Sequence, residues 1–198
     1  MSGPRCRYNR AMTTPDLIFV LGGARSGKSA YAEGLAGASG RGVTYIATAR
    51  GADAEFSERI AHHRARRPAH WRLVEAGAAL DDALRAADGD DACVLVDCLT
   101  LWLAGLLCPP EACGPAAEDA DARIDAFMAA LAAARARIIV VSNEIGLGVV
   151  PLGSVTRRYV DALGRLNQRV AALAPEVTLM VAGLPLAVKT APRPTRTA

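Results

Sequence analysis

Apolar residues along the chain fall into short, near-continuous runs separated by stretches with helical periodicity. Runs without strict polar and apolar alternation are typical of strands covered on both faces, as in a parallel sheet. The predicted strands are LIFVLG (17–22), VTYIAT (43–48), a weaker WRLVE (71–75), CVLVD (93–97), RIIVVS (137–142) and VTLMVA (177–182).

Helices are predicted between these strands, at residues 28–37, 55–66, 118–135 and 155–173. The last two show apolar residues at steps of three or four, which places those residues on one face. Those residues are Ile124, Phe127 and Leu131 on the first of the two, and Val155, Tyr159, Leu163, Leu166, Val170 and Leu173 on the second. The alternation of strands and helices predicts a three-layer α/β domain with a mainly parallel central sheet.

Length and composition indicate a globular protein, since 52% of the 198 residues are hydrophobic and 22% are charged. Neither a repeat nor a linker interrupts the pattern, so we predict one domain over 16–189. An extension (1–15) and a tail (190–198) are expected to be flexible, and the segment 108–117 is expected to be a surface loop.

Several classes of protein are disfavoured by composition. A net charge of +3 without an aromatic stacking set does not indicate nucleic-acid binding. The N-terminus lacks the apolar region of a secretory signal, and the longest apolar run is too short for a membrane span and contains Asp97. The five cysteines have no metal-ligand spacing. Cys93 and Cys98 are expected to be buried thiols, and a cytoplasmic location is predicted.

Lys28 stands out because the chain has two lysines against twenty-one arginines. It belongs to GGARSGKS, which fits the phosphate-binding motif G-x-x-x-x-G-K-[ST] in full and predicts a domain of the P-loop NTPase type. The glycines let backbone N–H groups converge on phosphate oxygens, and a slim ammonium reaches between the β- and γ-phosphates. The predicted nucleotide-binding residues are Gly22, Gly23, Ala24, Arg25, Ser26, Gly27, Lys28 and Ser29.

A P-loop works with Mg²⁺, which the hydroxyl of Ser29 would ligate. The second ligand is usually an acidic residue at the end of a neighbouring strand, and Asp97 ends the run CVLVD. The alternative is an ordinary carboxylate at a strand end. Beside a complete P-loop motif, the magnesium role is favoured.

All three histidines, His62, His63 and His70, lie within nine residues of one another. A neutral imidazole flanked by Arg64, Arg66 and Arg67 could attack phosphorus while the arginines neutralise the triphosphate. The alternative is a solvated basic helix whose histidines take no part in chemistry. Residue chemistry alone favours that alternative, because paired histidines are not diagnostic.

Six segments together carry a family resemblance. They are GGARSGKS, IATAR, RIAHHRARRPAHW, VDCLTLW, SNEIGLGVVP and DALGRLNQR. In this order the chain, from about residue 17 to 189, resembles the bifunctional adenosylcobinamide kinase and adenosylcobinamide-phosphate guanylyltransferase family of cobalamin biosynthesis. The P-loop is shared by many families, whereas HHR-x-x-RP-x-HW and SNE-x-G-x-G-x-VP are quite specific to this one.

The resemblance implies one P-loop site with two uses. The γ-phosphate of ATP or GTP would go to adenosylcobinamide, and GTP would then guanylylate a histidine that passes GMP to adenosylcobinamide phosphate. It implies His62 as the nucleophile, with His63 the nearest competitor, and symmetric trimers with sites near subunit contacts. It also implies that the nucleotide site is lined by Ala47, Thr48, Ala49, His63, Arg64, Ala65, Arg66, Glu75 and Asp97 together with the P-loop.

Asn143 and Glu144 follow a predicted strand, at the end where open α/β sheets bind ligands. They either contact substrate or only form a turn, and the two readings are balanced. Two other functions remain as alternatives: a P-loop small-molecule or nucleotide kinase without a covalent step, and a GTP-dependent switch. The switch is disfavoured because neither Lys28 nor Lys189 belongs to a guanine-reading N-K-x-D segment.

Overall fold

The computed structural model describes residues 14–48, 68–107 and 117–190. Strands and helices alternate along most of these ranges. The strands are β1 (Leu17–Gly22), β2 (Gly42–Ala47), β3 (Arg72–Glu75), β4 (Ala92–Asp97), β5 (Arg137–Asn143), β6 (Glu176–Val181) and β7 (Leu184–Lys189). The helices are α1 (Lys28–Gly37), α2 (Leu80–Ala87), α3 (Leu99–Leu107), α4 (Ala117–Ala133) and α5 (Ser154–Leu173).

The strands form one seven-stranded sheet in the order β3-β2-β4-β5-β1-β6-β7. Pairing is parallel throughout except between β6 and β7, which form an antiparallel hairpin. Because parallel strands all point the same way, the first six end at one edge of the sheet. We call it the carboxyl edge.

Successive residues of the strands point to opposite faces of the sheet and pack in two apolar clusters, one on each face. Leu17 and Phe19 of β1 join a large cluster with side chains from α2, α3, α4 and α5. Ile18 and Val20 join a smaller cluster on the opposite face, which is covered by Ala32 and Ala36 of α1. The predicted three-layer α/β domain with a mainly parallel sheet is therefore confirmed.

The six predicted strands are found with their ends shifted by no more than one residue, and Cys93 and Cys98 are buried as expected. Three elements were not predicted. β7 is exposed along its whole length and contains Pro185, as suits an edge strand. α3 continues the apolar run of β4 without a visible break, and α2 is only eight residues long.

One residue of the predicted stripe on α5 is misplaced. Val155 is 64% exposed, whereas Leu163, Leu166 and Val170 are buried as expected. Val155 lies in the first turn of α5, before the helix reaches the large apolar cluster. The predicted helix 55–66 and residues 108–116 of the predicted loop lie outside the described ranges. No helix within those ranges is long and apolar enough to cross a membrane.

The larger cluster has an aromatic pair at its centre. Trp102 of α3 and Phe127 of α4 are almost fully buried, and their ring centroids lie 5.2 Å apart at an interplanar angle of 55°. The indole nitrogen of Trp102 also donates a hydrogen bond to the carbonyl oxygen of Ala78, at 3.1 Å. This contact joins α3, α4 and the segment before α2 over one face of the sheet.

We expect Phe127→Ala to lower the free energy of unfolding by about 3–5 kcal/mol, because truncation leaves a cavity beside Trp102. Urea unfolding followed by circular dichroism measures the change. Asp121→Ala, on the exposed side of the same helix, is the control and should change the free energy by no more than about 0.5 kcal/mol. Equal stability of the two variants would contradict a central role for Phe127.

Candidate active site

The P-loop motif lies where the sequence predicts it, between the end of β1 and the start of α1. Gly27 has a left-handed backbone conformation (φ 91°) and caps the helix without a side-chain hydrogen bond. Helix α1 begins at Lys28, so the backbone N–H groups of its first turn lie at the loop and have no partner within the helix. Together with the positive end of the helix dipole, they form an environment suited to an anion.

A side chain is excluded at one glycine of this loop and disfavoured at another. A Cβ atom at Gly22 would lie 2.4 Å from the hydroxyl oxygen of Ser26 and 2.9 Å from the carbonyl oxygen of Met180 on β6. A Cβ atom at Gly27 would lie 3.3 Å from the Cα atom of Gly183. The loop is thus packed directly against backbone from β6 and from the hairpin turn that follows it.

The β6–β7 turn also bonds to the loop. The N–H of Gly183 donates to the carbonyl oxygen of Ser26 at 3.0 Å, and both turn residues, Ala182 and Gly183, have positive φ. The ammonium group of Lys28 donates to the carbonyl oxygen of Gly23 at 3.0 Å. These bonds hold the loop against the β6–β7 turn at the carboxyl edge and link its beginning, at Gly23, to its end, at Lys28.

The strand register places the other predicted residues along the same edge. Asn143 pairs with Gly22, while Ala47 pairs with Asp97 on one side and with Glu75 on the other. At about 4.8 Å per strand, Asp97 is about 10 Å from β1 across the sheet and Glu75 about 19 Å. Asp97 thus lies closer to the phosphate loop than Glu75 does. Its partner on β5, Val141, pairs with Val20, two residues before Gly22.

Asp97 lies on the face of the sheet that α1 covers. It follows Leu95 by two residues and therefore projects to the same side, where Leu95 packs in the smaller apolar cluster with residues of α1. Helix α1 contacts both β4 and β5. On the neighbouring strand, the hydroxyl of Tyr45 donates a hydrogen bond of 2.7 Å to Oδ2 of Asp97.

The backbone after Asp97 is tied to β2 by Thr48. The buried Thr48 hydroxyl donates to the carbonyl oxygen of Cys98 at 2.7 Å and accepts from its N–H at 2.9 Å. The N–H of Thr48 donates to the carbonyl oxygen of Asp97 at 3.2 Å. Burial, with the nearby Asp97 charge, raises the pKa of the Cys98 thiol to about 11, so this thiol stays protonated at neutral pH.

The end of β5 is anchored to two helices. The N–H of Asn143 donates to the hydroxyl of Thr100 at 2.9 Å, and Nδ2 of Asn167 donates to the carbonyl oxygen of Asn143 at 3.0 Å. The hydroxyl of Tyr159 donates to the carbonyl oxygen of Thr100 at 2.7 Å. The N–H of Glu144 continues the strand pairing by donating to the carbonyl oxygen of Gly22 at 3.1 Å.

The structure places Asp97 and, one strand further out, Ala47 and Thr48 along the same edge as the P-loop. Asn143 lies between Asp97 and the loop, and Glu75 lies at the far end of that edge. Ala49 and the predicted residues from His62 to Arg66 lie outside the described ranges. Tyr45 and Gly183 were missed in the sequence. Tyr45 precedes Ala47 by two residues and so lies on the same face of the predicted strand, which is the sequence signal for Tyr45. The Ala-Gly pair at the end of a predicted strand is the signal for Gly183.

Comparison with known proteins gives a family match over most of the chain. The family model described as cobinamide kinase / cobinamide phosphate guanyltransferase matches residues 18–188. The bifunctional adenosylcobalamin biosynthesis protein CobP of Pseudomonas aeruginosa is 51% identical over 173 residues, covering 87% of this chain and 97% of the relative. The corresponding CobU of Escherichia coli is 41% identical over 181 residues, covering 87% and 99%.

A third relative, the bifunctional adenosylcobalamin biosynthesis protein CobU of Salmonella typhimurium, is 40% identical over 181 residues, with coverage of 87% and 99%. Among solved structures, the RadB recombinase matches with a TM-score of 0.47 and 17% identity, covering 84% of this chain and 74% of that chain. Each of the three relatives thus covers 87% of this chain, and the family model matches residues 18–188.

We expect Gly22→Ala to weaken nucleotide binding at least about tenfold, because the new methyl group must displace Ser26 and the β6 backbone. Titration with a fluorescent GTP analogue measures the affinity. Gly34→Ala, within α1, is the matched control, since a Cβ atom there meets nothing within 4 Å. It should keep wild-type affinity and gain a little stability. Unchanged affinity in Gly22→Ala would contradict the predicted nucleotide site.

Proposed function

We propose the following activity from the premise that this chain belongs to the cobinamide kinase / cobinamide phosphate guanyltransferase family. It is a bifunctional kinase and guanylyltransferase. The kinase transfers the γ-phosphoryl group of ATP or GTP to adenosylcobinamide. The transferase then moves GMP from GTP to adenosylcobinamide phosphate, giving adenosylcobinamide-GDP and pyrophosphate. The observation that carries the proposal is the P-loop at the carboxyl edge, with Asp97 on the face that α1 covers.

Phosphoryl transfer needs positioning and neutralisation of charge more than covalent help from the protein. The loop N–H groups would hold the phosphates, and Lys28, now bonded to the Gly23 carbonyl oxygen, would turn to the β- and γ-phosphates. The acceptor hydroxyl forms a bond to the γ-phosphorus as the bond to the β-phosphate oxygen breaks. The nucleoside diphosphate leaves, and the hydroxyl proton goes to solvent or to a base.

Magnesium would be held by Ser29 and Asp97, and the donor set fits it. Both donors are hard oxygen atoms, which Mg²⁺ prefers, and few protein ligands are needed because substrate phosphates and water complete its coordination. Ser29 lies in the first turn of α1, and α1 contacts the strand that ends at Asp97. When bound, the ion neutralises charge on the β- and γ-phosphates.

Guanylyl transfer is proposed to use His62 as a nucleophile on the α-phosphorus of GTP. A nitrogen of the imidazole forms the new P–N bond while the bond from the α-phosphorus to the pyrophosphate oxygen breaks. A phosphate oxygen of adenosylcobinamide phosphate then attacks the same phosphorus and releases the histidine. Splitting the transfer gives two in-line displacements, and protonated imidazole is a good leaving group. His63 is the alternative nucleophile.

The proposal also includes the trimeric assembly that the family resemblance implies, with Arg64 and Arg66 near the triphosphate. A cytoplasmic location fits the cysteine pattern and the expected soluble substrates. Both parts rest on the resemblance and on composition.

Incubation with α-labelled GTP and Mg²⁺ tests the covalent step. We expect label on the protein that is stable in base and labile in acid, because a P–N bond has that behaviour. His62→Ala should lose the label, whereas His63→Ala, its matched control, should keep it. The opposite result would move the nucleophile to His63. No label in the wild type would leave a P-loop kinase without a covalent step.

The two activities should separate by residue. Lys28→Ala is expected to reduce both the kinase rate and the guanylylation by at least about a hundredfold, because both need the same triphosphate. His62→Ala should retain the kinase rate. Separate assays with adenosylcobinamide and with adenosylcobinamide phosphate measure the two. A kinase rate that falls with guanylylation in His62→Ala would mean that His62 serves nucleotide binding in general.

A further inference from the structure

We propose that Tyr45 is a positioning residue that orients the carboxylate of Asp97 for magnesium. The inference rests on the proposed role of Asp97 and adds a residue that the P-loop motif does not contain. Three observations carry it: the hydrogen bond between the two side chains, the burial of the Tyr45 ring, and the backbone bonds that hold both ends of the pair.

The hydrogen bond selects one carboxylate oxygen. The phenol of Tyr45 donates to Oδ2 of Asp97 at 2.7 Å, which is the usual length for an O–H···O bond. Oδ1 is the oxygen that Tyr45 does not engage. The bond opposes rotation of the carboxylate about its Cβ–Cγ bond, so that Oδ1 keeps one orientation.

Packing holds the Tyr45 ring in place, so rotation of the Asp97 carboxylate would break the hydrogen bond between them. Tyr45 is 4% exposed and belongs to the apolar cluster under α1, with Val43 on its own strand and Leu95 on the next. Parallel pairing sets Tyr45 opposite Leu95 and Ala47 opposite Asp97. The phenol therefore extends along the sheet by two residues, from the level of Leu95 to the level of Asp97.

The backbone of Asp97 is fixed by Thr48, the residue that follows β2. The N–H of Thr48 donates to the carbonyl oxygen of Asp97, and the Thr48 hydroxyl exchanges two hydrogen bonds with Cys98. Strand β2 thus fixes the main chain of Asp97 through Thr48 and its side chain through Tyr45. Groups that orient a metal-binding carboxylate in this way commonly change metal affinity by roughly ten- to a hundredfold when removed.

Tyr45→Phe removes the phenol oxygen and keeps the ring, so the packing stays. Mg²⁺ is expected to strengthen the binding of a fluorescent GDP analogue. We expect the Mg²⁺ concentration that gives half of this effect to rise roughly ten- to a hundredfold in the variant. The affinity for GDP in EDTA should not change. Mn²⁺ binding in the presence of GDP, followed by electron paramagnetic resonance, should weaken by a similar factor.

Tyr31→Phe is the matched control. Tyr31 packs against the same cluster from α1, and its hydroxyl makes no hydrogen bond to another residue in the described ranges. It should leave the Mg²⁺ requirement unchanged, even if it lowers the melting temperature as much as Tyr45→Phe does. Of the three variants, Asp97→Asn should raise the Mg²⁺ requirement most, because it removes the proposed carboxylate ligand itself.

The outcomes separate this inference from the function on which it rests. A raised Mg²⁺ requirement in Tyr45→Phe and Asp97→Asn, but not in Tyr31→Phe, supports it. A raised requirement in Asp97→Asn alone overturns the role of Tyr45 and leaves that of Asp97. If Asp97→Asn binds Mg²⁺ with GDP as the wild type does, the proposed magnesium role of Asp97 fails and the inference fails with it.

Discussion

The parallel pairing of β1 with β5, and of β5 with β4, is the interaction on which the candidate active site depends. It brings the end of β1, where the P-loop begins, to the same edge as Asp97 at the end of β4. Asn143, at the end of the intervening strand, pairs with Gly22. A shift of one residue in the β4–β5 register would turn Asp97 to the opposite face, away from α1. The close packing of particular side chains in the two apolar clusters opposes that shift.

The P-loop depends on a second contact, with the β6–β7 hairpin. Gly22 approaches the backbone of β6 too closely for a side chain, Gly27 contacts Gly183 and has a positive φ, and Gly183 bonds to Ser26. The loop is therefore supported on both sides, by β5 through Glu144 and by the hairpin turn. Such support keeps the backbone N–H groups in place before a triphosphate binds, which is the condition for effective electrostatic stabilisation.

Much of the fold could be predicted from the sequence, because buried parallel strands appear as short apolar runs. α3 was missed because its first residue continues the apolar run of β4, and periodicity cannot mark a boundary within such a run. The phosphate loop was predicted from a motif whose residues are consecutive. The bond from Tyr45 to Asp97 was not, because residues 52 positions apart meet only through the strand register. Thr48 was predicted at the nucleotide site, and its hydroxyl holds the Cys98 backbone.

Departures from ordinary packing concentrate at the carboxyl edge. Among the described residues, five buried side-chain atoms make no hydrogen bond. One belongs to Asp81, which has the guanidinium of Arg123 at 3.6 Å. The others belong to Ser26, Ser142, Asn143 and Asn167.

These four residues lie in the P-loop, at the end of β5, or on the helix that bonds to that end. An unpaired buried polar group typically costs about 1–3 kcal/mol. A fold that only had to be stable would place apolar side chains there. The same edge holds Arg25 with positive φ, a conformation that a non-glycine residue adopts at some energetic cost. The hydroxyls of Ser26 and Ser142 can donate to an acceptor such as a phosphate oxygen, whereas the amide oxygens of Asn143 and Asn167 need a donor. Unpaired polar atoms and backbone strain thus collect around the phosphate loop, where the motif predicts that a ligand binds.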